Sequence, residues 1–177
     1  MEKSVKKEKD ISFVLDMRTV RKNKDSFVLT ATEKQCLELA SFYELPKIKK
    51  LSFLFDIFLN KDNVVELKGI LETDVVEVCV VSSEEFSEHI SAPINLLFSD
   101  DEAFVKQQEN VVDFSLEDEL VEFAKNGRIY FYEIVREQLG LILDPFPKKT
   151  KEPFIYYEEK PEDSRENPFA MLKHLTK

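Results

Sequence analysis

The 177-residue chain carries 43 % hydrophobic residues, 15 of its residues being Phe, which is enough for a packed core and excludes a disordered chain. Its net charge of −10 removes the bulk electrostatic footprint of a nucleic-acid binder. The charge is uneven: residues 1–60 hold 12 Lys/Arg against 9 Asp/Glu, residues 61–125 hold 4 against 17, and residues 126–177 hold 9 of each, so the centre suits a basic protein partner.

The basic start, "MEKSVKKEKD", has no apolar stretch behind it and reads as a flexible N-terminus over residues 1–10 rather than a secretion signal. No apolar run approaches the roughly 20 residues of a membrane helix, so a cytoplasmic protein without membrane contact is expected. Residues 11–30 hold two short apolar runs, "ISFVLDM" and "SFVLTA", read as strands around the basic "RTVRKNK". Thr32 followed by Gln35 is a capping-box signature, and Cys36, Leu37, Ala40 and Tyr43 recur near helical spacing before Pro46. A helix over 32–44 follows.

In "KLSFLFDIFLN" the odd positions Leu51, Phe53, Phe55, Ile57 and Leu59 are all apolar, a half-buried strand, and "NKDN" turns the chain. The next run keeps Val65, Leu67, Leu71 and Val75 on one face. Its apolar set then moves to Val76, Val78 and Val80, which predicts a bulge or bend near Val75–Val76. A third strand has Phe86, Ile90, Ala92, Ile94, Leu96 and Phe98 in phase. Short turns between these strands predict an antiparallel meander.

The acidic stretch from Ser99 to Glu119 reads as a polar excursion, followed by a brief "LVEFA" and the turn pair Asn126-Gly127. Phe131, Ile134, Val135, Gln138, Leu141 and Ile142 then fall at helical spacing, predicting a helix over 130–143 that covers the sheet and ends at Asp144-Pro145. The expected fold is α+β: one domain over 11–147, an antiparallel β-meander covered by one or two helices. Residues 148–177, rich in Lys, Glu and Pro, read as a flexible C-terminal tail.

Candidate chemistry is sparse. Cys36 and Cys79 lie on apolar faces and read as small buried hydrophobes. His89 sits on the polar face of its strand and His174 in the tail, neither with a second His or Cys nearby. With only 3 Gly there is no phosphate-binding loop. A metal-dependent ribonuclease built on Asp100 and Asp101 is the least favoured reading, because those carboxylates fall in a loop. The expectation is therefore no enzyme, no catalytic residue, no metal and no cofactor. Arg18, Arg21, Lys22 and Lys24, with Lys47, Lys49 and Lys50, are the candidate RNA contacts, against the alternative of a solvated basic edge.

The terminal "NPFAMLKHL" closes the tail. Asn167 and Pro168 start a short helix whose Phe169, Met171, Leu172 and Leu175 form an apolar stripe. Two turns are not stable alone in water, so this segment docks either on its own domain or, as the favoured reading, on a partner.

Four stretches carry a resemblance: "ELPKIKKLSFLFDI", "VELKGILETDVVEVCVVSSEEFSEHISAPINLLFSDDE", "GRIYFYEIVREQLGLILDPFP" and "NPFAMLKHL". In order and spacing they resemble the YceD-like large ribosomal RNA subunit accumulation proteins, from about residue 10 to the C-terminus. The resemblance implies a non-enzymatic role in large-subunit maturation or assembly, through ribosomal or rRNA-processing proteins, with direct rRNA binding by the basic N-terminal half as the alternative. Glu137, Leu141, Leu143, Pro145 and Pro147 fit the family's pattern. Many members carry Cys-x-x-Cys where this chain has Cys79 and Ser82, and an acidic residue where it has Tyr130.

Overall fold

The computed structural model describes residues 7–60, 64–109 and 121–149. Three long strands dominate it, β4 (Lys47–Leu59), β5 (Val65–Val78) and β6 (Glu85–Ser99). Their period-2 patterns decide which face is buried. Leu51, Phe53, Phe55 and Ile57 of β4 and Val65, Leu67 and Leu71 of β5 are buried on one face, in register with Phe98, Leu96 and Ala92 of β6.

Around this centre lie β1 (Lys7–Asp10), β2 (Val14–Asp16), β3 (Asp25–Thr30), α1 (Glu33–Phe42), α2 (Glu102–Glu109), β7 (Val121–Phe123), β8 (Arg128–Tyr130) and α3 (Phe131–Ile142). The α+β class holds. The sheet, however, is mixed rather than an antiparallel meander: its order is β1-β3-β4-β5-β6-β7, antiparallel from β3 to β6 and parallel at both edges. Each edge strand is reached through a long excursion that returns the chain in its original direction, as parallel pairing requires. β2 leaves the sheet and pairs with β8 in a separate ribbon. Residues 7–10, expected to be part of a flexible N-terminus, form β1 with all four side chains exposed. Such a strand is held by its backbone ladder and carries no hydrophobic signature.

One face of the sheet is covered by α1, α3 and the ribbon. Phe55 stacks on Phe27 and Phe131, whose ring centroids lie 5.4 and 4.7 Å away, and Phe13 stacks on Phe27 and Phe131 at 5.6 and 5.7 Å. Gly69 interrupts the apolar alternation of β5 because β4 approaches closely there: a Cβ would lie 2.4 Å from the Leu54 carbonyl oxygen, 2.6 Å from Phe55 Cβ and 2.9 Å from the Phe53 ring.

Thr32 and Gln35 form the expected capping box, with Thr32 Oγ1 accepting from the Gln35 amide at 3.3 Å and Gln35 Oε1 accepting from the Thr32 amide at 2.8 Å. Glu44 at φ 55° lets the Leu45 amide close on the Ala40 carbonyl at 2.9 Å, ending α1. Asn126 and Gly127 turn the chain at φ 57° and 65°.

Three expectations need correction. In α3, Phe131, Ile134, Val135 and Leu139 are buried, whereas Leu141 is 72 % exposed. Tyr43 packs on the flank bearing Leu139 and Gly140, donating its hydroxyl to the Arg136 carbonyl, and Leu141 lies on the opposite flank. The apolar set of β5 does not change face. Thr73, Val75, Glu77 and Cys79 stay buried; of the even positions Val76 is also buried, at 9 % exposure, but Val78 and Val80 are exposed. The register shift lies across the ladder, between Ile48 and Lys50 of β4. Finally, the acidic excursion contains α2. Asp101 Oδ1 caps it, accepting from the amides of Ala103 and Phe104 at 3.0 and 3.1 Å. No helix among the described residues is long and apolar enough to cross a membrane.

Candidate interaction surfaces

The two basic segments do not form one patch. The loop bearing Arg21, Lys22 and Lys24 is tied to the far end of β4, where the Leu59 amide donates to the Arg21 carbonyl at 2.9 Å. Lys47, Lys49 and Lys50 begin the same strand. About nine residues at roughly 3.3 Å each separate them, on the order of 30 Å. Arg18 is committed locally: its Nε and Nη2 donate to the Asp16 carboxylate at 2.9 and 2.6 Å, which holds that carboxyl down at about 2. The Lys24 ammonium lies 5.2 Å from the Phe58 ring centroid, and Lys49 donates to Ser87 Oγ at 2.7 Å. Arg21 lines a cleft of about 410 Å³ with Lys7, Asp25 and Phe27.

Among the acidic candidates, Asp101 is occupied as the α2 cap. Among the described residues, no group of three or more His, Cys, Asp or Glu converges as metal ligands do. His89 Nδ1 lies 2.7 Å from Asp74 Oδ1 in an exposed cross-strand pair. Residues 115–119, His174 and the segment bearing Asn167, Pro168, Phe169, Met171, Leu172 and Leu175 lie outside the described residues.

Cys36 is buried in α1, which pushes its thiol up. Cys79 is buried but polarised. It sits in a turn closed by the Ser83 amide on the Cys79 carbonyl at 2.8 Å, with the Ser82 amide 3.5 Å from its Sγ. The Lys149 amide, then Ser82 and Val81, hold this thiol down at about 6. Convergence of backbone amides leaves no trace in residue types.

The face of the sheet opposite α1 and α3 is covered at one corner by α2, where Val105 and Phe104 pack with Val64, Leu97 and Val121. Across its middle, register aligns Val28, Leu54, Ile70 and Pro93 in one apolar row over four strands. Leu54 and Ile70 are 37 % and 44 % exposed. Asp56, Glu66, Glu72 and Asp74 share this face through the strands' alternation, with Lys68 paired to Glu66 and Lys50 opposite Asp74, four carboxylates against two lysines. An exposed apolar row bordered by carboxylates has the composition of a protein-docking surface.

Glu77, on the helix-covered face, is 1 % exposed. Burial, then Glu88 and Asp144, push its carboxyl up to about 7. The sequence pattern did not single it out; continued odd-position alternation from Val65 is the signal that locates it on this face. No family model, curated protein or solved structure matches the chain.

Proposed function

We propose that this protein is a non-enzymatic factor supporting accumulation of large-subunit ribosomal RNA by docking a basic ribosomal or rRNA-processing protein. The observation that carries docking is the open sheet face, where the Val28–Leu54–Ile70–Pro93 row supplies desolvation and Asp56, Glu66, Glu72 and Asp74 supply the sign of charge. Apolar burial of such a row supplies affinity, and the carboxylates supply steering and selectivity. The ribosomal context rests on the ordered resemblance of the four sequence stretches to YceD-like proteins. Depletion of the protein is expected to lower mature large-subunit RNA relative to small-subunit RNA; an unchanged ratio refutes the ribosomal role.

Direct rRNA contact is the second reading, favoured by the cleft that brings Arg21 and Lys7 beside Phe27. The roughly 30 Å between the two basic segments makes a continuous backbone track across both the weaker form of it.

A further inference from the structure

Resting on the reading of the chain as a docking factor for basic proteins, we propose that a cavity between the ends of α1, β5 and α3 is the receptor for one lysine or arginine side chain of the partner. The cavity measures about 400 Å³. Leu45, Pro46, Leu143, Pro145 and Pro147 give it apolar walls, and Glu44, Glu77 and Asp144 give it three carboxylates. Among the described residues, no lysine or arginine lines it.

Glu77 is the distinguishing group. It is 1 % exposed, and its Oε2 has no hydrogen-bond partner. A buried carboxylate left unsatisfied is costly, and a cationic donor is what relieves that cost. The surrounding groups strengthen the demand for positive charge. Glu88 approaches from β6, where it both repels and hydrogen-bonds Glu77, Asp144 acts from the segment after α3, and Glu44 at the end of α1 lines the same cavity. In keeping with these neighbours, burial and the adjacent carboxylates push the Glu77 carboxyl up to about 7.

The walls choose the kind of cation. Lysine and arginine lay an aliphatic stem along apolar surface while their charged head reaches a polar partner. Proline and leucine walls leading to a carboxylate match that shape, whereas a bare metal ion finds no converging set of three ligands among the described residues. The mouth indicates a protein as the source of the side chain. Val78, which lines the cavity, is 42 % exposed, and the Val80 amide bonds the carbonyl of the lining residue Pro147 at 3.0 Å. Val80, Val81 and Phe146, next in sequence to lining residues or close to them, are 52 %, 63 % and 68 % exposed. Exposed apolar side chains close to a cavity that holds carboxylates fit a basic side chain projecting from an apolar partner surface.

The test is a titration of the ¹⁵N-labelled full chain with acetyl-Gly-Lys-Gly-amide, with acetyl-Gly-norleucine-Gly-amide as the uncharged control. Shifts at Leu45, Val78 and Leu143 are expected with the lysine peptide alone. Glu77→Gln keeps the shape and should weaken binding at least tenfold. The exposed Asp144→Asn, which preserves the oxygen that accepts from the Phe146 amide at 2.8 Å, should weaken it several-fold. Equal binding by wild type and both variants, or shifts confined to the open sheet face, overturns the proposal. Cells depleted of the protein and rescued with Glu77→Gln separate the two claims. If depletion lowers the large-subunit RNA ratio but the peptide ignores the cavity, only the cavity is refuted. If the peptide binds at Glu77 but depletion leaves the ratio unchanged, only the ribosomal reading falls.

Discussion

Replacing Glu77 by Gln removes an ionisable group from the helix-covered face without changing its shape. The folded protein holds this carboxyl at about 7 against an ordinary value of 4.5, with burial as the first cause and Glu88 and Asp144 behind it. Below about pH 4.5 the group is protonated in both folded and unfolded chains, so it costs nothing. As pH rises from 4.5 to 7 the unfolded chain releases the proton first, and folding becomes progressively less favourable. Above 7 the full penalty is present. At about 1.36 kcal/mol per pKa unit, the shift corresponds to a penalty on the order of 3 kcal/mol. Glu77→Gln should therefore have nearly unchanged stability at pH 4 and be about 3 kcal/mol more stable at pH 8. For a chain of this size that gain is roughly 6–12 °C in Tm. Urea unfolding of both proteins at the two pH values measures it. An equal difference at both pH values, or a less stable variant at pH 8, refutes the assignment of Glu77 as a buried, unsatisfied carboxyl.

Two other variants probe the core and the basic loop. Gly69→Ala forces a methyl against the Leu54 carbonyl, Phe55 Cβ and the Phe53 ring and should cost about 1–3 kcal/mol, seen as a lower midpoint in thermal unfolding by circular dichroism. Arg18, Arg21 and Lys22 changed together to Ala should leave the fold intact. If the second reading holds, the triple variant loses RNA affinity and shows a shallower salt dependence by filter binding; affinity that ignores the changes removes that reading.

What was legible in the sequence follows from how many residues share one physical constraint. The odd positions of β4, the even positions of β6 and the Thr32/Gln35 box each repeat or reciprocate a signal, and each is where the pattern placed it. β1 was invisible because an exposed edge strand needs only backbone partners. The parallel edges were invisible because alternation sets a face and not a neighbour. At Val76, Val78 and Val80, residue type outweighed continuity of phase: side-chain hydrophobicity pointed one way and the uninterrupted β5–β6 register the other. The same error hid Glu77. The open apolar row was hidden for a different reason. Val28, Leu54, Ile70 and Pro93 are far apart in sequence and become neighbours only when register is known.

The central claim, docking of a basic partner on the open face in support of large-subunit RNA accumulation, is tested most directly by Ile70→Lys with Glu72→Lys in cells lacking the wild-type protein. Both residues project from the exposed face of β5, where substitutions typically change stability by about 0.5 kcal/mol or less. The measurement is the ratio of mature large- to small-subunit ribosomal RNA, taken with the variant's melting curve. A ratio lowered to the level of full depletion by a normally folded variant is the predicted result; a wild-type ratio from that same variant contradicts the account.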